Sequence, residues 1–202
     1  MWLVFSKGDR MDYDFFAYLG RMKYIKRWAL MRSTVEENVK EHSWDVSVIA
    51  HALALIENKI FGGNVDEYKV MCLATYHEAG EVITGDLPTP IKYFNSQINV
   101  AYKDLEKLAC EKLLSKLPEE IKGEYSSYLL AEEGSVEHKI MKSADRLAAY
   151  IKCVEEVKGG NSEFVKAKET VWQSLENSDM ACVKYFIEKI LPSFEKTLDE
   201  LD

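Results

Sequence analysis

The sequence predicts an all-α fold, organised as a single helical bundle, on three observations. Apolar residues recur with the helical period along most of the 202 residues. Glycine and proline are scarce, at 10 and 4 copies, and they fall between the periodic segments, where helices are expected to end. No segment alternates apolar and polar residues for long enough to predict a β-sheet.

The predicted helices follow one another with short interruptions, such as Gly62-Gly63 and the stretch from Gly85 to Pro90. They cover residues 12–26, 37–59, 66–82, 96–117, 119–131, 136–158, 162–177 and 180–202. The sequence contains no repeat, low-complexity stretch or Pro/Ser-rich linker, so residues 1–202 are expected to form one domain. Residues 1–10 are expected to be a loosely ordered N-terminal extension.

The net charge restricts the ligands that the chain is expected to bind, and the opening segment and the cysteines indicate its cellular compartment. A net charge of -8 argues against binding a nucleic acid polymer, because such binding requires many basic contacts to phosphates. A single small phosphate remains compatible with a few local cations. The opening apolar stretch is too short for a signal peptide, no run reaches membrane-spanning length, and a cytoplasmic protein is expected. The cysteines are widely spaced and predict buried free thiols: Cys72, Cys110, Cys153 and Cys182.

Two histidines and several carboxylates fall on apolar helical faces and form a candidate metal site. His42 shares a face with Val46 and Ile49, and Asp145 lies within an apolar stretch of its own helix. His77 and Glu81 are four residues apart and therefore neighbours on one helix, with Glu78 beside them. Mixed nitrogen and oxygen donors from facing helices suit a divalent ion.

A purely structural interpretation competes with the metal site. Glu78, Glu81 and Asp145 could be surface charges paired with lysines, and a lone histidine on an apolar face is more often a hydrogen-bonded core residue than a ligand. Spacing alone leaves these two interpretations about even, because short helical patterns of histidines and acids also occur by chance.

Several segments, in their order and spacing, resemble the bacterial HD-domain 5'-deoxynucleotidases. The resemblance runs from about Phe15 to Leu198. It implies an all-α HD-domain bundle that removes phosphate from deoxyribonucleoside 5'-monophosphates with the help of one divalent ion, Co, Mn, Zn or Fe. The segments that carry it are RW (27–28), ENVKEHS (37–43), YHEAGEV (76–82), TGDLPTP (84–90), KYFN (92–95) and AD (144–145).

The resemblance also implies roles for individual residues. The implied metal ligands are His42, His77, Glu78 and Asp145. Arg27 would orient the phosphate, Trp28 would crowd the sugar 2' position and exclude ribonucleotides, and Glu81 would handle protons. The implied substrate contacts, some of them shared with the metal site, are Arg27, Trp28, Glu78, Asp86, Leu87, Pro88, Thr89 and Asp145, of which Arg27 and Asp86 are also implied in catalysis.

Simpler roles remain open for several of these residues. Trp28 could be a core aromatic residue, and Arg27 a surface cation. Asp86 could be an ordinary turn residue in a Gly and Pro loop, and Thr89 could cap the next helix.

Glu78 departs from the family pattern, in which an aspartate follows the second histidine. Glutamate keeps the negative charge but adds one methylene, which a metal site must absorb by a different rotamer, bidentate binding or displacement of the ion. We expect the site still to bind a divalent ion, because the other ligands are unaltered.

Two other functions are considered on the same residues. The chain could be a nucleotide-binding sensor or scaffold in which Glu78 lowers turnover, or a phosphohydrolase acting on nucleoside triphosphates or another small phosphate ester. The resemblance further suggests a homodimer. The apolar residues of the last helix are candidates for its interface: Val183, Tyr185, Phe186, Ile187, Ile190 and Leu191.

Overall fold

The computed structural model describes residues 13–201 and confirms the all-α fold class. Within that range the backbone forms helices joined by short turns, and its only β-type pairing is an isolated antiparallel bridge between Lys26 and Asn38. The α-helices are α1 (Phe15–Leu19), α2 (Val39–Ile60), α3 (Glu67–Tyr76), α4 (Glu81–Thr84), α5 (Thr89–Lys92), α6 (Ser96–Leu114), α7 (Glu119–Leu129), α8 (Val136–Lys158), α9 (Val165–Glu176) and α10 (Ala181–Lys189).

The main core lies where α2, α3 and α8 pack together, with α9 and α10 against them. Each of these helices contributes one apolar stripe, as the helical period predicts. The stripes supply fully buried side chains such as Leu53, Leu73 and Leu147. A second, smaller cluster forms around Phe15, Leu113 and the α7 side of the molecule.

Side-chain caps determine where the two site-bearing helices begin. Asn38 accepts hydrogen bonds from the backbone N–H groups of Lys40 and Glu41, while the Glu41 carboxylate accepts one from the Asn38 N–H. This capping box starts α2 at Val39 and therefore fixes the register of His42 in its first turns. Ser135 caps α8 in a similar way by accepting from the N–H of His138.

Three predicted helices are shorter in the structure. The segment 12–26 contains only α1 and a 3₁₀ turn at Met22–Tyr24. The segment 66–82 breaks after Tyr76, and the last helix ends at Lys189, where Pro192 lies in the 3₁₀ turn Leu191–Glu195. Proline lacks the N–H that a continuing α-helix needs, which accounts for the last break.

The apolar residues of the last helix belong to the core of the chain itself. Val183, Phe186 and Leu191 are buried, and the remaining candidates for an interface pack against the same cluster: Tyr185, Ile187 and Ile190. Val183, Phe186 and Leu191 are therefore unavailable for a dimer interface, whereas an interface at the three partly exposed residues stays a prediction.

A buried ion pair on α8 holds the segment between α1 and α2. The Lys152 ammonium donates to the Glu156 carboxylate and to the backbone carbonyl of Val35. Glu156 also accepts from the Thr34 N–H at 2.8 Å and from the Asn161 side chain at 2.8 Å. Burial alone would raise the pKa of Glu156, but these donors hold it well below its usual range.

No helix in the described range is both long and apolar enough to cross a membrane. The N-terminal extension expected at residues 1–10 lies outside the described residues.

We predict that Glu156→Gln destabilises the protein by about 3 kcal/mol, because it leaves the buried Lys152 ammonium without its counter-charge. Urea unfolding at neutral pH measures the change. The matched control is Glu155→Gln, since Glu155 is the exposed neighbour on the same helix and should change stability by no more than about 0.5 kcal/mol. Equal effects of the two substitutions on the free energy of unfolding would contradict a stabilising role for the buried ion pair.

Candidate metal centre

The structure brings together the four residues that were predicted as metal ligands. One ligand atom from each of His42, His77, Glu78 and Asp145 lies within 4.8 Å of the others. The residues come from α2, from the turn after α3 and from α8, so helix packing assembles the cluster. Two nitrogen and two oxygen donors at this separation match the requirements of a divalent ion.

His42 reaches the cluster from the first turns of α2, on the buried stripe that also contains Val39 and Val46. Its side chain is fully buried, and its Nε2 atom lies 3.1 Å from Oδ1 of Asp145. Burial lowers the pKa of His42, which favours the neutral ring that a metal ligand requires.

One ring nitrogen of His77 is hydrogen-bonded to the backbone, and the other has no hydrogen-bond partner among the described residues. Its Nδ1 atom lies 2.7 Å from the carbonyl oxygen of Ala74, and because a carbonyl can only accept, Nδ1 carries the proton. In the neutral ring the Nε2 lone pair is then directed into the cluster, where Nε2 is buried without a hydrogen-bond partner. A backbone hydrogen bond of this kind orients histidine ligands in metal sites.

Glu78 comes from a segment that was predicted as helix and is a turn. After Tyr76 the backbone tightens, and the N–H groups of Ala79 and Glu81 bond the carbonyl oxygens three residues earlier, at 3.0 Å each. Gly80 allows this turn to approach α6, because a β-carbon there would lie 3.3 Å from Sγ of Cys110. The expectation that His77 and Glu81 lie on one continuous helix is wrong.

Asp145 projects from α8 and is partly shielded, with 23% of its side chain exposed. Burial would raise the pKa of this carboxyl group, but His42 and nearby positive charges hold it below its usual range. Lys142, one turn earlier, lies 3.6 Å from the other carboxylate oxygen. The lysine pairing that was considered in place of a metal is thus present at Asp145, but it leaves Oδ1 directed at the two histidines.

The donors in the cluster fit a cation better than they fit one another. The Nε2 atom of His77 lies 3.3 Å from Oε1 of Glu78 and 3.9 Å from Oδ1 of Asp145. When the ring of His77 is neutral, its Nε2 lone pair and the two carboxylates face one another as acceptors. Arg27, 3.9 Å from Glu78, and Lys142, 3.6 Å from Asp145, offset only part of this negative charge. A divalent ion held by the four side chains would turn these facing acceptors into ligands.

Glu81 opens the short helix α4 and is buried, with 7% exposure. Burial, reinforced by the neighbouring carboxylate of Glu78, raises the pKa of Glu81 well above its usual range. Its Oε2 atom has no hydrogen-bond partner among the described residues. The structure therefore places a carboxyl group suited to hold a proton beside the cluster.

Arg27 lies at the edge of the cluster and is not a surface cation. Only 13% of its side chain is exposed, and its Nη1 atom is 3.9 Å from Oε1 of Glu78. Burial opposes its charge, but the surrounding carboxylates, with Glu78 foremost, raise the pKa of Arg27. The guanidinium group thus places a positive charge beside the cluster.

The loop from Gly85 to Pro90 borders the cluster. Gly85 has a φ of 73°, a conformation that favours glycine, and its carbonyl accepts a hydrogen bond of 3.2 Å from the Tyr102 hydroxyl. Asp86 is half-buried, and burial raises the pKa of its carboxyl group. Leu87 and Pro88 are half-buried, whereas Thr89 is exposed at the first position of α5.

One residue that spacing did not single out contacts two predicted site residues. Oε2 of Glu37 accepts from Nε of Arg27 at 3.0 Å and from the Trp28 indole N–H at 2.8 Å. The bridge between residues 26 and 38 creates these contacts across ten positions of sequence, and no local periodicity signals such a pairing.

The helical bundle and its cluster of histidines and carboxylates agree with the HD-type phosphohydrolase class, to which solved structures with this fold belong. An HD-domain phosphohydrolase from Listeria innocua superposes with a TM-score of 0.79 at 26% identity, covering 90% of this chain and 88% of that one. The cyanophage S-2L HD phosphohydrolase DatZ, bound to dA and one catalytic Zn²⁺, has a TM-score of 0.64 at 17% identity, with 90% and 96% covered, and this likeness concerns the fold alone.

Comparison of the sequence with known proteins identifies a narrower family. The family model described as 5'-deoxynucleotidase YfbR-like matches residues 14–194. A 5'-deoxynucleotidase from Vibrio vulnificus is 48% identical over 93% of this chain and 97% of its own length. The 5'-deoxynucleotidase YfbR of Escherichia coli is 49% identical over 93% of this chain and 94% of its own length. The chain belongs to the YfbR-like 5'-deoxynucleotidase family.

We predict that the demetallated protein binds one equivalent of Mn²⁺, Co²⁺ or Zn²⁺ in calorimetric titration, because its donors are already assembled. His42→Ala and Asp145→Asn should each weaken binding by more than about 100-fold, beyond the effect of losing a hydrogen-bond partner of a ligand. His138→Ala is the control, since His138 lies on α8 outside the cluster. The absence of saturable binding by all three ions would contradict the site.

Proposed function

We propose that this protein is a metal-dependent phosphomonoesterase that converts deoxyribonucleoside 5'-monophosphates to nucleosides and phosphate. The observation that carries the proposal is the four-residue cluster with the Arg27 guanidinium group at its edge. The names of the family and of its relatives, which are 5'-deoxynucleotidases, support the same activity.

The ligands of the ion would be His42, His77, Glu78 and Asp145. A divalent ion bound there supplies charge that polarises phosphoryl oxygens and lowers the pKa of a water molecule. Nitrogen and oxygen donors in equal number are compatible with Co, Mn, Zn or Fe.

Arg27 would bind the substrate phosphate. Phosphoryl transfer requires little covalent chemistry from the protein, so charge compensation and positioning are the main tasks of its side chains. A guanidinium group can donate two parallel hydrogen bonds to a phosphate, which a lysine ammonium group cannot. Because Nε of Arg27 is already engaged by Glu37, the terminal nitrogens are the ones available to the phosphate.

Glu81 and Asp86 would serve the proton transfers and the substrate contacts. Cleavage of the phosphate ester leaves an oxygen that must gain a proton, and a carboxyl group at the site can supply one. Glu81 is buried beside the cluster and is suited to this role. Asp86, with Leu87, Pro88 and Thr89, would border the substrate from the loop before α5.

Trp28 would face the sugar and exclude a 2'-hydroxyl group. Its indole is half-buried and packs against Phe164, with the ring centroids 5.3 Å apart. A bulky ring held in this way narrows a binding site for the ribose but leaves room for deoxyribose.

We place the protein in the cytoplasm, as a single domain over residues 1–202. All four cysteines are free thiols, which suits a reducing compartment.

In a phosphate-release assay over several metals, we predict that dAMP is hydrolysed in preference to AMP by about tenfold or more, a ratio typical of discrimination by pocket shape. dATP should be a poor substrate. Preferred release from dATP or from another phosphate ester would contradict the monophosphate assignment.

The same assay separates catalysis from the sensor or scaffold alternative, which rests on Glu78. Thermal stabilisation by dAMP with metal, but without phosphate release, would favour the alternative. Glu78→Asp restores the family residue and is the informative variant. We expect it to preserve or raise turnover, and a large loss would show that the pocket has adapted to the longer side chain.

We also propose a homodimer, with a second copy of the chain covering the outer face of α6. Large apolar side chains are exposed on this helix and just before it: Tyr93, Phe94, Val100, Leu105 and Leu108. Exposed apolar side chains clustered in this way are typical of protein interfaces.

Light scattering on the protein as it elutes from a size-exclusion column should give the mass of a dimer. Leu105→Glu combined with Leu108→Glu should give a monomer, because two charges would be buried in the interface. Val48→Glu is the control, since Val48 is 52% exposed on α2. A dimer that survives the α6 double change would overturn the choice of α6.

A further inference from the structure

A single carboxylate oxygen connects the two predicted substrate-facing residues that are adjacent in the sequence. Oε2 of Glu37 accepts from Nε of Arg27 at 3.0 Å and from Nε1 of Trp28 at 2.8 Å. The Glu37 side chain is only 11% exposed, so water competes little with these donors. The contact to Arg27 pairs opposite charges and belongs to the stronger class of hydrogen bonds.

The backbone supports the same pairing. The Arg27 N–H donates to the Glu37 carbonyl at 3.0 Å, and the Val39 N–H donates to the Ile25 carbonyl at 2.9 Å. These hydrogen bonds join the two ends of the segment of residues 27–37, which forms a lobe. Glu37 therefore lies opposite Arg27 by backbone register, and from there its carboxylate reaches both donors.

Trp28 occupies a backbone conformation that requires such support. Its φ of 58° is in the left-handed region, where a residue with a β-carbon is disfavoured by roughly 1–2 kcal/mol. Conformations of this kind persist where surrounding contacts determine them. Phe164 packs against the indole ring at an interplanar angle of 59°, and Glu37 accepts a hydrogen bond from the indole N–H.

Arg27 spans the distance between Glu37 and the metal centre. Its Nε atom is bonded to Glu37, and its Nη1 atom lies 3.9 Å from Oε1 of Glu78. Because a guanidinium group is planar and rigid, fixing Nε also fixes the direction of the terminal nitrogens. A shift of Glu37 would therefore move the group that faces the phosphate and the ring that faces the sugar together.

We propose that Glu37 is a positioning residue that sets substrate affinity through Arg27 and sugar discrimination through Trp28. This inference rests on the proposed function. It adds one carboxylate that positions both the residue that binds the phosphate and the residue that faces the sugar. Glu37 acts through these two residues and is outside the set of metal ligands.

Glu37→Gln removes the negative charge and keeps the shape of the side chain. We expect kcat/KM for dAMP to fall by roughly tenfold to 100-fold, the range that corresponds to losing a hydrogen bond between charged groups. The preference for dAMP over AMP should fall by about fivefold or more, because a less constrained indole ring admits the 2'-hydroxyl group. The affinity for Mn²⁺ should stay within about twofold, since Glu37 is outside the ligand set.

Glu36→Gln is the matched control. Glu36 is the neighbouring glutamate, its side chain is 73% exposed, and it pairs only with the exposed Lys26. This substitution should leave both the rate and the sugar preference within about twofold of the wild type.

Glu37→Asp is the second variant and guards against a failure of Glu37→Gln to fold. It keeps the charge but withdraws the carboxylate by one methylene, so that one oxygen cannot reach both donors. The sugar preference should again fall. A folded variant of either kind that retains the wild-type preference for dAMP over AMP would overturn the proposal.

Binding is measured separately from turnover, with the non-hydrolysable 5'-phosphonate analogues of deoxyadenosine and adenosine on the Mn²⁺-loaded protein. If the wild type binds the deoxyadenosine analogue more tightly and Glu37→Gln loses this preference, the proposal is supported. This holds even if no phosphate release is detected, because the absence of release would count only against the proposed function. Equal binding of the two analogues by the wild type would overturn the role of Glu37 in discrimination.

Discussion

The gathering of histidine and carboxylate donors at one partly buried point of the bundle is the constraint on which the site depends. One donor atom from each of His77, Glu78 and Asp145 lies within 4.8 Å of the others. Packing energy from the core around α2, α3 and α8 holds them there, and a cation is the species that relieves the cost. Arg27 supplies one positive charge at the edge, and a divalent ion would supply the rest.

Helix α8 links this centre to the lobe formed by residues 27–37. At about 100° per residue, Asp145, Lys152 and Glu156 fall within about 20° of one direction on the helix. Asp145 faces the metal cluster, while the buried pair Lys152 and Glu156 holds the lobe through Thr34 and Val35. One rigid element therefore aligns the ion site with the lobe that carries Arg27 and Trp28.

Helical periodicity predicted the fold class and the inward direction of His42 and Asp145, because both lie on regular helices with clear apolar stripes. It failed at residues 66–82, where the helix ends at Tyr76 and a tight turn carries Glu78 into the cluster. The close approach of Gly80 to Cys110 on α6 favours that turn, and contacts between distant segments leave no periodic signal.

By itself the sequence determined an all-α chain, the ligand inventory and the family, because periodicity, residue type and motif spacing are local properties. The tertiary structure decided that the four ligands meet, that the apolar face of α10 is core, and that Glu37 joins Arg27 to Trp28. These outcomes depend on contacts between residues far apart in the chain, whose distances are set by how the helices pack.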